Sequence, residues 1–179
     1  AAMGVVFVTM VSLAYSVDTI VTWSLPTVPI SLWLNALMGG PLLAAITLYA
    51  AQWRALAGRF GLMLMAAPFV ALAANTVVYI VQGGQLGGVA NSVVAAADLV
   101  PHYHTMLLAF ALMCFAGCVL AAFTMHAVSR EAVAHGGGEL AFSKRVLVRL
   151  LVACLLVFAG IFVMRFAFYM MHLTVGLAV

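Results

Sequence analysis

Charge is what this sequence has least of. Only seven of its 179 residues are Lys or Arg and four are Asp or Glu, 6% in all, where soluble domains carry about 25%. So few charges cannot cover the surface of a water-soluble fold of this length, and a soluble domain is excluded. The same scarcity argues against a nucleic-acid surface, which needs a basic face, and against a pump built on intramembrane carboxylates. Cysteine is also sparse. Cys114, Cys118 and Cys154 sit inside apolar runs, and no spacing typical of zinc or iron–sulfur sites occurs. Cys114 and Cys118, four apart, share a helical face, as a soft-metal pair or as small residues packed between helices. The packing reading fits better, and no metal site is expected. His residues facing one another within apolar runs are missing too. His102, His104, His126 and His135 fall in connections or at their edges and His172 at a helix end, so a bis-His haem is not expected.

What the sequence has instead is hydrophobic length. Apolar residues make up 68% of it and the mean hydropathy is +1.26. A helix crosses the hydrocarbon core with about 20 apolar residues. Five such runs are present, at 1–17, 29–51, 60–81, 105–125 and 146–171. They predict an all-α integral membrane protein, a bundle of about five transmembrane helices forming a single domain over 1–179. The first run is short, opens at Ala1 and has no basic flank, unlike a secretory signal. The expectation is a chain truncated at its N-terminus, beginning inside or just before a helix.

The few basic residues are unevenly placed. Arg54 and Arg59 flank the second connection, and Arg130, Lys144, Arg145 and Arg149 flank the fourth. The first and third connections, 18–28 and 82–104, hold Asp18 and Asp98 and no Lys or Arg. By the positive-inside rule the basic connections are cytoplasmic. The first and third connections and the C-terminus then face the periplasm of a bacterial inner membrane. Trp23 and Trp53, near opposite ends of the second run, are placed as an aromatic belt. In the third connection Val89, Val93, Ala96 and Val100 lie near one helical face, predicting a short helix on the membrane surface or over the bundle mouth. In the fourth, 126–145, the basic residues suit the lipid surface around a flexible Gly136-Gly137-Gly138 tip.

Three features could carry chemistry. Gly39, Gly40 and Pro41 lie near the centre of the second run, where Pro should kink or open the helix. That makes either a niche for a ligand or a site of close helix packing. Arg165, Tyr169 and His172, at i, i+4 and i+7, share a face of the last helix. Arg165 lies about one turn inside the outer boundary, where a charge must be paired or snorkel. The trio is either a polar cluster for a redox or ionic ligand, with His172 handling protons, or an interfacial anchor. Asp18, at similar depth, could pair with Arg165 as an ion pair or relay. Gln82, Gln85, His102 and His104 add polar groups at that level, so the outer face is expected to be richer in hydrogen-bonding side chains than the bundle interior.

Several stretches, in order, carry a family resemblance. They are Asp18-Thr19 and Thr22-Trp23; Pro29 followed by Met38-Gly39-Gly40-Pro41-Leu42-Leu43; Val81-Gln82-Gly83, Ser92-Val93 and Leu99-Val100-Pro101-His102-Tyr103; and Arg165-Phe166-Ala167-Phe168-Tyr169 with His172-Leu173-Thr174-Val175-Gly176. From about Tyr15 onward the chain resembles the membrane anchor subunit of dimethyl sulfoxide reductase; residues 126–145 match poorly. The resemblance implies an eight-helix family of which this chain matches the last five helices. It also implies no haem, and a role that is non-catalytic in itself. Such anchors hold a molybdopterin catalytic subunit and an iron–sulfur electron-transfer subunit on the membrane. They oxidise menaquinol and pass its electrons to the iron–sulfur subunit in anaerobic respiration. Part of the family's quinol site lies in the helices not matched here. The residues of this chain expected to contribute are Arg165, Tyr169 and His172, with Asp18 and Gln82 behind them. A quinol-binding subunit of a polysulfide- or nitrite-reducing complex is the alternative. A small transporter using the second helix is a third reading, weakened by the lack of paired inverted halves.

Overall fold

The computed structural model describes residues 2–15, 19–91, 94–134 and 142–173. Among these residues six α-helices follow in order: α1 (Ala2–Ala14), α2 (Thr27–Ala50), α3 (Arg59–Gln85), α4 (Ala96–Leu99), α5 (Tyr103–Ala134) and α6 (Lys144–Met170). Four of them, α2, α3, α5 and α6, are long and apolar enough to cross a membrane, while α1 is a shorter apolar helix. No strand occurs among the described residues. In lipid every backbone N–H and C=O must find its partner within the protein, and a helix does this segment by segment.

The long helices form a closed ring. α2 packs on α3, α3 on α5, α5 on α6, and α6 back on α2, with α1 lying outside against α2. Only 28–33% of each span is buried within the bundle, so most of every helix presents an apolar surface outward. Without a hydrophobic drive between helices in lipid, close backbone approach must supply the attraction. The α5–α6 contact has that character. A methyl added at Gly117 would stand 2.6 Å from the Ala153 carbonyl oxygen, and one at Gly160 would stand 2.6 Å from Cys114 Sγ. Cys114 and Cys118 are buried in this seam, and the Cys114 thiol donates to the Val157 carbonyl at 3.5 Å. Among the described residues no group of three His, Cys, Asp or Glu is arranged to hold a metal ion.

Helix ends depart from the apolar runs. α3 continues through Gln85, so Gln82 is helical and does not open a connection. α5 continues to Ala134, nine residues past the apolar run, and carries His126 and Arg130 within it. At about 1.5 Å per residue its 32 residues outlast a hydrocarbon core of about 30 Å. Its last turns extend into the interface, where hydropathy falls but the helix persists. His104 likewise lies in the first turn of α5. The short helix expected over 89–100 is reduced to α4. Before it, Ala90 and Ala95 bridge antiparallel and the Val94 amide donates to Asn91 Oδ1 at 2.8 Å. Ala96 and Val100 are buried, so this segment packs on the bundle. α2 is helical throughout Gly39-Gly40-Pro41, and α3 likewise through Pro68.

Contacts between connections place the charges. The Ser143 amide donates to the Tyr49 hydroxyl at 2.9 Å, and Tyr49 stacks on Phe142 at 6.0 Å. The end of α2 and the start of α6 therefore meet at one end, and Arg54, Arg59, Lys144 and Arg145 gather there. At the other end the Thr22 hydroxyl donates to the Met171 carbonyl at 2.5 Å, joining the start of α2 to the end of α6.

Candidate ligand-binding site at the Arg165 end

α6 carries Arg165 into an aromatic nest. The guanidinium carbon lies 4.3 Å from the Phe168 ring centroid, 5.1 Å from Tyr15 and 5.6 Å from Tyr169. All three distances fall within the reach of cation–π attraction. The Tyr15 and Tyr169 hydroxyls are 2.6 Å apart, and the charge of Arg165 acts on both. Trp23 completes the nest. It stacks on Phe168 at 5.1 Å and meets Tyr169 edge-on at 6.1 Å. Its indole Nε1 is buried and has no hydrogen-bond partner among the described residues, although such a donor normally finds one.

Arg165 also ends an apolar groove of about 590 Å³, lined by Leu155, Phe158, Ala159, Ile161 and Phe162. Leu155 and Phe162 are exposed, so the groove opens on the outside of the bundle. Ten residues of helix separate Leu155 from Arg165, about 15 Å. The floor depends on α2: a methyl at Gly39 would come 2.9 Å from Phe158 Cζ, while one at Gly40 would meet nothing within 4 Å. Gly39 is thus a packing position that seats Phe158, and Gly40 lines open space. A cation with aromatic neighbours at one end of a long apolar slot suits an amphiphile with a polar, oxygen-bearing head.

Of the residues expected from sequence, Arg165 and Tyr169 are brought together. His172 arrives there differently. α6 ends at Met170, so His172 does not continue the helical face. The Thr22 hydroxyl donates to the Met171 carbonyl and accepts from the Leu173 amide at 3.5 Å. This tie turns the chain so that the His172 ring meets Trp23 at 5.2 Å. Asp18 lies outside the described residues, and with it the suggested pair with Arg165. Gln82 belongs elsewhere: it is buried on α3, on the same face as Asn75 and Tyr79, and no described contact joins it to Arg165. Tyr15 and Trp23 are absent from the site expected from sequence because their partners stand some 150 positions away, which no local spacing reveals.

A second polar group lies inside the bundle. Asn75, fully buried, donates to Asn35 Oδ1 at 2.8 Å, and Asn35 donates to the Tyr79 hydroxyl at 3.3 Å. The Tyr103 hydroxyl donates to the Tyr79 carbonyl at 2.8 Å. Two Asn residues inside apolar runs are the available signal, since polar groups in spanning helices turn toward helix neighbours.

A ring of long apolar helices, with a groove ending at Arg165 near one end, defines a multi-pass membrane protein with a candidate site for an amphiphile. Residues 1–171 match the family described as DMSO reductase anchor subunit (DmsC), and the chain belongs to that family. Among relatives, it is 33% identical over 179 residues to the C subunit of the anaerobic dimethyl sulfoxide reductase of Escherichia coli strain K12. It is 31% identical over 180 residues to the anaerobic dimethyl sulfoxide reductase subunit YnfH of the same organism. Each alignment covers 99% of this chain and 56% of the relative, so the chain spans little more than half their length. No solved structure matches it.

Proposed function

We propose that this chain forms part of the menaquinol-oxidising membrane anchor of a molybdopterin-dependent, dimethyl sulfoxide reductase-type complex in a bacterial inner membrane. It passes electrons to an iron–sulfur subunit in anaerobic respiration. The observation that carries this reading is Arg165 at the head of the apolar groove. A quinol presents two ring oxygens and a long apolar tail. The groove suits the tail, and Arg165, the Tyr15–Tyr169 hydroxyl pair and the Trp23 Nε1 donor suit the oxygens. Oxidation of a quinol releases two electrons and two protons. The guanidinium holds a ring oxygen and favours the charge left as its proton departs. The exposed His172 ring, beside Trp23, accepts the two protons in turn and hands each to water. Electrons leave toward the iron–sulfur subunit, docked at this end, and iron–sulfur and molybdopterin groups belong to the partner subunits.

The test uses the full-length anchor co-expressed with its iron–sulfur and catalytic subunits. Oxidation of a reduced menaquinone analogue is followed in membranes against dimethyl sulfoxide and other acceptors, polysulfide and nitrite among them. Turnover that needs the anchor and one of these acceptors supports the reading and names the complex. Three-subunit assembly without quinol turnover would leave a scaffold and sink it.

A further inference from the structure

Beyond the quinol site, we propose that the start of α6 holds the phosphodiester headgroup of an anionic phospholipid. Lys144, Arg145 and Arg149 line one groove of about 350 Å³ together with Val148. Three cations within six residues repel one another, and an anion among them would relieve that repulsion. Acidic residues are too few to do so throughout this protein, four against seven basic ones. Asp98 lies at the opposite end of the bundle, before α5; Glu131, in the last turn of α5, and Glu139, outside the described residues, are outnumbered on this side by Arg54, Arg59, Arg130, Lys144, Arg145 and Arg149. The groove therefore has a cationic surplus that an external anion would offset.

The second observation selects a lipid. Directly below the cations the surface of α6 turns apolar and stays exposed, through Val148, Leu151 and Val152, above the Leu155 that ends the Arg165 groove. A cationic head region at the interface, continuous with an exposed apolar flank running into the hydrocarbon, matches a molecule with an anionic headgroup and acyl chains. A soluble phosphate would use only the upper part, and an acidic peptide would leave the flank uncovered. The site lies at the end of α6 opposite Arg165, one helix length away at about 1.5 Å per residue, so it is separate from the proposed quinol groove. Each cation near an anionic lipid surface contributes measurably and additively to the attraction.

The full-length anchor in its complex is reconstituted in phosphatidylcholine nanodiscs containing a minor fraction of phosphatidylglycerol, then stripped in mild detergent. Lipids that remain bound are counted by native mass spectrometry. The wild-type complex is expected to retain phosphatidylglycerol over phosphatidylcholine by at least about tenfold relative to the bilayer. The K144Q/R145Q/R149Q variant is expected to lose that preference. The charge-preserving R145K/R149K variant should keep it, which separates lost charge from a misfolded helix. Excess glycerol phosphate in the buffer should not displace the lipid, because it lacks the chains that lie on the flank. Equal retention of the two lipids by the wild type would overturn the proposal, as would unchanged selectivity in the triple variant. So would complete displacement by glycerol phosphate, or crosslinking of Lys144 to an acidic segment of a partner subunit in place of lipid.

Discussion

Arg165 and Asn75 are both polar groups at membrane depth, and each is held in a different way. Arg165 is surrounded by π faces, which attract a cation without neutralising it; the Tyr15 and Tyr169 hydroxyls interact with it as well, and a guanidinium with five N–H donors keeps others for a ligand. In the completed complex, Arg165→Gln is expected to weaken a quinol-analogue inhibitor by roughly tenfold to a hundredfold, the worth of a charge-assisted hydrogen bond. Arg165→Lys should recover only part of the loss, because an ammonium lacks the planar fork. Fluorescence titration of the inhibitor checks both. Asn75 is held by amide pairing, and its Oδ1 has no partner among the described residues. Reversing both amides would let Asn35 donate to Asn75 but would orphan the Asn75 amino group instead. One polar atom of Asn75 therefore lacks a partner from Asn35 in either arrangement. Asn75→Ala removes the donor to Asn35 and opens space beside it, and should destabilise the bundle by about 1–2 kcal/mol. Thermal aggregation of the detergent-solubilised complex measures it. Both Asn residues are legible in the sequence as polar interruptions of apolar runs. Their pairing is not, since it depends on how α2 and α3 are rotated about their axes.

At the scale of elements, the contact between α2 and α6 turns on one glycine of two. Gly39 accepts Phe158, and Gly40 beside it faces open space. Gly39→Val should displace Phe158, deform the floor of the Arg165 groove and weaken inhibitor binding several-fold. Gly40→Val should leave the affinity near that of the wild type. The comparison separates close packing from any general effect of a β-branched residue in α2. The dipeptide and Pro41 are visible as a local irregularity, but which glycine carries the contact is decided by the partner helix. The length of α5 makes a related point. A hydropathy run marks where a helix crosses hydrocarbon, and the helix itself ends only where its backbone bonds do. His126 and Arg130, expected in a connection, are therefore helical. His172 departs in the other direction: its spacing of seven from Arg165 predicts a continued helical face, yet the helix stops at Met170 and the Thr22 tie sets its position.

For the whole molecule, the closed ring of four helices gathers Arg54, Arg59, Lys144 and Arg145 at one end and leaves Asp98 near the other. The positive-inside rule then predicts a cytoplasmic basic end. Alkaline phosphatase fused at the C-terminus should be active in cells, and the same fusion at Gln52, between α2 and α3, should be inactive. The reverse pattern would place Arg165 and its groove on the cytoplasmic side and move the expected docking face of the iron–sulfur subunit with it. The sequence by itself determined that the chain lives in lipid, that its long apolar runs are helices, and that its basic residues cluster in alternate connections. Those properties follow from composition, run length and charge, each of which adds up along the chain. Only the tertiary structure decided that Tyr15 and Trp23 join Arg165, that Gly39 rather than Gly40 seats Phe158, and that Asn35 meets Asn75. Those contacts join residues up to about 150 positions apart, and they depend on helix rotation and close approach, which apolar periodicity leaves open when nearly every face of a helix is hydrophobic.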